Sequence, residues 1–148
     1  MKATLEHTCN DLLRKYHHNC LFKNILKDGN CLAFTFDNNG TLKGRFFCHE
    51  KYQGYDNRVH GGIIAAVIDE SMVHCLMGHD IVGVTTELHI KYRLPIFINQ
   101  HIDIITQITE SLLDGMIYNL TTEVLQDKKN VITATARFFT TVTNMPGY

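Results

Sequence analysis

The chain has 148 residues, enough for one ordinary domain and too few for two. With 45% hydrophobic and 20% charged residues its composition is globular, which argues against disorder and fibrous repeats. Fourteen Lys and Arg against fifteen Asp and Glu give a formal net charge of -1 with no sustained basic stripe, so nucleic acid is disfavoured as the principal partner.

Over residues 4–16, Leu5, Cys9, Leu12 and Tyr16 recur at helical spacing, which predicts a short amphipathic helix within an N-terminal extension, residues 1–18. Leu32, Phe34 and Phe36 then alternate as in a strand. Asn38-Asn39-Gly40 supplies the turn of a hairpin, and Thr41 to Cys48 is the return strand. A polar loop, His49 to Val59, leads to His60-Gly61-Gly62. From Ile63 to Met77 there is no Pro or Gly, and apolar residues cover most of a helical circumference, so this is the one long helix, buried, with Gly78 stopping it.

Everything after that helix reads as strand. Val82, Val84, Thr86, Leu88, Ile90 and Tyr92 are expected on one face, with Thr85, Glu87, His89, Lys91 and Arg93 on the other. Pro95 closes this strand. Ile102, Ile104 and Ile108 mark the next; Met116, Tyr118, Leu120 and Val124 a third; Ile132, Ala134, Ala136, Phe138 and Val142 the last. Leu113-Asp114-Gly115 and Asp127-Lys128-Lys129-Asn130 are the turns between them. Two strands, one buried helix and four strands imply an α+β domain whose antiparallel sheet of five to six strands curls round the helix.

Cys9, Cys20, Cys31, Cys48 and Cys75 are odd in number and form no CxxC pair, and no secretory signal opens the chain. Reduced thiols in a cytoplasmic protein are expected. The histidines include one adjacent pair, His17-His18, and no HExxH, so a zinc site has little support. No apolar run reaches the roughly 20 residues of a membrane span.

The chemistry concentrates in Gln53 to Met72, QGYDNRVHGGIIAAVIDESM. Two glycines opening a helix leave first-turn N–H groups without internal acceptors, at the positive end of the helix dipole, where a developing oxyanion is favoured. A tight loop-to-helix turn is the simpler explanation of the same glycines. Asp69 sits inside the apolar helix, where a carboxylate signals function or an ion pair and, beside a reactive carbonyl, can serve as nucleophile or general base. A solvated face shared with Glu70 and Ser71 is the alternative. Gly61 and Asp69 lie eight residues apart, roughly 12 Å along the axis. One substrate carbonyl cannot comfortably use both from the same chain, so, if both serve one reaction, a two-fold assembly with composite sites is expected.

The string V-HGG-IIAAVI-DE-SM, followed by VTTELHIKY-RLP, resembles the PaaI-like branch of hotdog-fold acyl-CoA thioesterases over roughly residues 45–145. The resemblance implies a hotdog fold, a homodimer or dimer of dimers, CoA-borne substrates and no metal or redox cofactor. It implies that the Gly61 amide polarises the thioester carbonyl and that Asp69 of the partner subunit activates water or attacks. The resemblance implies that an amide or hydroxyl side chain helps position the water or the carbonyl. Relatives place an amide six or seven positions before the motif histidine, where Gly54 and Gln53 stand, which makes Gln53 the candidate for that role. Relatives also place a hydroxyl seven positions before a strand tyrosine, which here is Thr85, counting from Tyr92. His60 and Gly62 are expected to shape the substrate loop, with the His60 backbone a possible further oxyanion donor. Arg58, Lys91 and Arg93 are candidates for CoA phosphates, though each is also explained as surface charge. His49 and His74 read as packing or surface residues. A dehydratase is disfavoured, because the loop lacks that family's prolines. The remaining alternative is a non-catalytic acyl-CoA-binding module or sensor.

Overall fold

The computed structural model describes residues 1–22 and 32–140. Helix α1 (Lys2–Tyr16) precedes the hairpin β1 (Leu32–Phe36) and β2 (Leu42–Phe47). A short 3-10 turn, Glu50–Tyr52, leads to helix α2 (Gly61–Gly78). Strands β3 (Gly83–Tyr92), β4 (His101–Leu112), β5 (Ile117–Gln126) and β6 (Lys129–Thr140) follow. They form one antiparallel sheet in the order β1-β2-β4-β5-β6-β3. The expected α+β arrangement, a hotdog fold, is therefore what the chain adopts. Val142, expected in the last strand, lies outside the described residues.

Turn chemistry sets the strand connections. Asp37 accepts from the backbone of Asn39 and Thr41, both at 2.9 Å, and Gly40 sits at φ 80° to close the first hairpin. Asp127 and Lys128 both have positive φ, 51° and 63°, the conformation of a two-residue hairpin loop matched to strand twist.

Helix α2 lies against β2, β3, β4 and β5 on one side and α1 on the other. Its Ile64, Val67, Ile68, Met72, Cys75 and Leu76 join Phe46, Ile102, Ile104, Leu120, Ile132 and Phe138 of the sheet in a single core. By length and composition α2 is apolar enough to cross a membrane, which the run lengths had not suggested, but more than half of it is buried here inside the protein. The glycines extend the helix at both ends. Gly61 and Gly62 form its first turn, and Gly78 is its last residue rather than a stop beyond it.

A chain of three buried hydroxyls joins the helix to the sheet: Ser71 Oγ lies 2.9 Å from Thr106 Oγ1, which lies 2.7 Å from Thr122 Oγ1. Ser71 also donates to the Ile68 carbonyl at 2.6 Å. Valine at 106 keeps the volume but leaves Thr122 without this partner in a buried place. Thr106→Val is therefore expected to cost about 1–2 kcal/mol, seen as a lowered urea midpoint at unchanged slope.

The two faces expected for β3 need correction. A bulge between Thr85 and Glu87 shifts the register against β6. Leu88 and Ile90 lie opposite the buried Ala136 and Ala134, and Thr85 lies opposite the buried Phe138. Thr85 therefore shares the inner face with Leu88 and Ile90, while Val84, opposite Phe139, is exposed. An extra residue in one strand reverses which side chains face inward from that point on, and regular alternation cannot anticipate it.

Candidate active site

The mouth of α2 is built by residues on either side of it. His60 caps the helix in an extended conformation, its Nδ1 accepting from Gly62 N at 2.9 Å, while its own N–H donates to the Tyr52 carbonyl at 2.8 Å. Of the two glycine amides expected to be open, that of Gly62 is thus engaged, and the His60 amide is engaged too. The amide of Gly61, the first helical residue, has no acceptor among the described residues. On the other side, the Tyr92 hydroxyl donates to the Gly61 carbonyl at 2.8 Å, fixing the orientation of that turn. A Cβ added to Gly61 would lie 3.6 Å from the Tyr92 ring, an ordinary contact, so packing within the chain does not demand glycine here.

Two turns further along, Asp69 is half-buried and its Oδ1 accepts from Thr85 Oγ1 at 2.6 Å. The β3 bulge makes this bond possible, because it brings Thr85 to the helix side of the strand. Strand β3 thus runs antiparallel to α2, with Thr85 beside Asp69 and Tyr92 beside Gly61. Sequence reasoning used Tyr92 only as a counting mark, and its clamp on Gly61 had no signal in the pattern.

The next residue, Glu70, lies on the opposite flank. It is buried rather than part of a solvated face, as is Ser71. Burial pushes the Glu70 carboxyl up to about 7, and the charge of Asp69 adds to the rise. Cys20 Sγ donates to its oxygens from 3.5 and 3.7 Å, and His17 Nδ1 stands 3.7 Å away. His74 is buried against Phe34, ring centroids 4.6 Å apart, and burial pulls its imidazole down to about 4. It packs, as its sequence position suggested.

The other candidates are dispersed. Gln53 Oε1 accepts from Asn57 N at 2.9 Å, tying the side chain to its own loop beside the α2 mouth. Arg58 is exposed, pairs by its backbone with Phe97 and lays its guanidinium 5.6 Å from that ring's centre. Arg93 is exposed and donates to Thr133 Oγ1 at 3.2 Å, and Lys91 is also exposed. The structure thus brings together Asp69 with Thr85, and His60 with Gly61 and Gly62, but leaves the cationic candidates apart on the surface.

Residues 56–111 match the thioesterase superfamily, a segment running from the loop before α2 into β4. No curated protein matches the chain. Among solved structures, the E. coli PaaI protein from the phenylacetic acid degradation operon is 14% identical, with a TM-score of 0.76 over 93% of this chain and 96% of that one. A hypothetical thioesterase protein with coenzyme A from Streptococcus pneumoniae is 17% identical, with a TM-score of 0.69 over 76% of this chain and 90% of that one. It has also been solved with an aspartate and, separately, a threonine replaced by alanine, at positions sixteen residues apart in its chain. Another thioesterase superfamily protein is 18% identical, with a TM-score of 0.67 over 72% of this chain, which spans only 55% of that longer protein.

Proposed function

Because the chain folds as a hotdog domain and its helix-mouth segment matches the thioesterase superfamily, we propose that it hydrolyses acyl-CoA or a related acyl thioester at a site shared by two protomers. One observation carries this reading. A half-buried carboxylate with a hydroxyl partner stands at one end of the α2–β3 pair, and an unengaged amide stands at the other. The coenzyme A bound to the pneumococcal relative supports a CoA-borne substrate. The aspartate and threonine altered in that relative have the sixteen-residue separation of Asp69 and Thr85.

In the proposed reaction the thioester carbonyl oxygen receives the Gly61 N–H, which strengthens its hold as negative charge gathers on that oxygen. Asp69 of the partner subunit takes a proton from water as the water oxygen bonds to the carbonyl carbon, or attacks that carbon directly. The C–S bond then breaks. On the first route the departing sulfur takes up the proton held by Asp69. On the second it leaves as thiolate while water hydrolyses the mixed anhydride, freeing the acid and the carboxylate and supplying the thiol proton. Thr85 holds the carboxylate through one oxygen, keeping the other for this work. Gln53, His60 and Gly62 shape the loop over the acyl group, while Arg58, Lys91 and Arg93 offer positive charge for the phosphates of CoA.

Strand β3 supplies the route to assembly. It ends the sheet, so its outer edge has no strand partner among the described residues, and its own Val84 and Tyr92 are exposed. Antiparallel pairing of two β3 edges centred between Leu88 and His89 would set Thr85 of one protomer opposite Tyr92 of the other. Asp69 and Gly61, attached to those two residues, would then meet across the two-fold axis.

A mixing experiment tests this directly. Gly61→Pro removes the amide at the one helical position where proline is tolerated, and His60 before it already has extended geometry. Gly61→Pro and Asp69→Ala are each expected to be inactive alone. Co-refolded as equal parts they should regain about a quarter of wild-type activity, since half the dimers are mixed and each mixed dimer holds one intact site. No recovery would mean that both groups act within one chain.

A further inference from the structure

We propose that His17, Cys20 and Glu70 form a zinc site with one open coordination position, pinning the end of α1 to the flank of α2 opposite the candidate active site. Each offers one ligand atom, and these atoms lie within 4.8 Å of one another. Tetrahedral zinc, with bonds of about 2.0–2.3 Å, sets neighbouring ligand atoms roughly 3.3–3.6 Å apart. Cys20 Sγ stands 3.5 Å from Glu70 Oε2, and His17 Nδ1 stands 3.7 Å from Glu70 Oε1. These two distances run to different oxygens of Glu70, so binding a metal would draw the three ligand atoms, now within 4.8 Å of one another, together by about 1 Å.

Two further observations favour a cation. The Glu70 carboxylate is 7% exposed, and no Lys or Arg pairs with it among the described residues. A buried carboxylate in such a place is stabilised by a metal or stays protonated. The Nδ1 atom of His17 is itself buried with no hydrogen-bond partner. A cleft of about 430 Å³, walled by Asn10, Arg14, Phe34 and His74, opens onto the three residues and gives a water room in the fourth position. His74 is not a fourth ligand through Nδ1, which bonds the Glu70 backbone carbonyl at 3.0 Å and so steadies the helix turn that presents Glu70. One sulfur, one nitrogen and one oxygen suit zinc better than magnesium or calcium, which take oxygen alone. The sequence concealed this arrangement, because a histidine and a cysteine three positions apart match no zinc motif without the third ligand fifty residues later. Cys20 binds as thiolate, its proton passing to the buffer.

Cobalt substitution reads the site without reference to activity. The full chain, stripped of metal with a chelator and titrated with Co²⁺, should bind one equivalent and show a thiolate-to-cobalt charge-transfer band with the strong visible bands of tetrahedral cobalt. Zinc should then displace it and raise Tm by several degrees. Cys20→Ser should abolish the charge-transfer band, and His17→Ala and Glu70→Gln should each weaken binding by at least ~10-fold. Circular dichroism of the metal-free variants checks that they are folded, and His17→Ala, at a partly exposed position, keeps the test intact if Glu70→Gln does not fold. Absence of the charge-transfer band in the wild type, or its survival in folded Cys20→Ser, would overturn the assignment. Since no readout uses hydrolysis, failure here leaves the proposed thioesterase reaction standing.

Discussion

Asp69→Ala should lower thioester hydrolysis by at least ~100-fold, the usual loss when a general base is deleted. The measurement is thiol release from a panel of acyl-CoAs, comparing wild type and variant at the same pH. The fold should survive, because Asp69 is only half-buried and makes one side-chain bond, from Thr85. An equal far-UV spectrum and tight substrate binding by the variant would assign the loss to chemistry. A variant close to wild type would move the role elsewhere, and not to Glu70, whose carboxylate faces Cys20 and His17 on the other flank. Tight binding without turnover by the wild type itself would make the chain an acyl-CoA-binding module. Short aliphatic, long-chain and aromatic acyl groups belong in the panel, since nothing in the composition selects among them.

The largest stability effect is expected at the far end of the same helix. A Cβ on Gly78 would lie 2.1 Å from Phe36 Cζ and under 3 Å from two further atoms of that ring. The ring cannot swing away, because Phe36 is 3% exposed and packs edge-on against His79 with centroids 6.2 Å apart. Gly78→Ala should therefore cost about 3 kcal/mol despite alanine's better helix propensity. In a domain of this length that is roughly 8–10 °C in Tm. Gly61→Ala makes the contrast, since the Cβ there meets only an ordinary 3.6 Å contact. A melt unchanged in Gly78→Ala would show that β1 can shift away from the helix.

Much of this fold was legible because local chemistry and global packing agree. The apolar run from Ile63 marked the buried helix, and positive-φ turns at Gly40 and Gly115 fell where the alternation broke. Asp69 stood out because ionised groups are rarely placed in such a run. What escaped depended on contacts distant in sequence. The Thr85–Glu87 bulge is fixed by pairing with β6, and without it Thr85 would face away from Asp69. Gly78 read as a helix stop, whereas its reason is a phenylalanine on β1. Glu70 entered only through the alternative of a solvated face shared with Asp69, whereas it is buried. One residue turns a helix by about 100°, so the two acids address different flanks, and only the placement of α1 closes over the second.

The pairing of β3 with β6, rather than with a nearer strand, has a temporal consequence. β4 and β5 meet as sequential neighbours and β5 joins β6 through two residues, but β3 must wait for the last strand of the sheet, Thr85 docking opposite Phe138. A nascent chain emerging from the ribosome can therefore form α2 early while Thr85 has no strand to fix its bulge. The acid–hydroxyl pair would form only when β6 arrives, which makes completion of the candidate site a late event in biosynthesis and ties it to the slow, long-range step of folding.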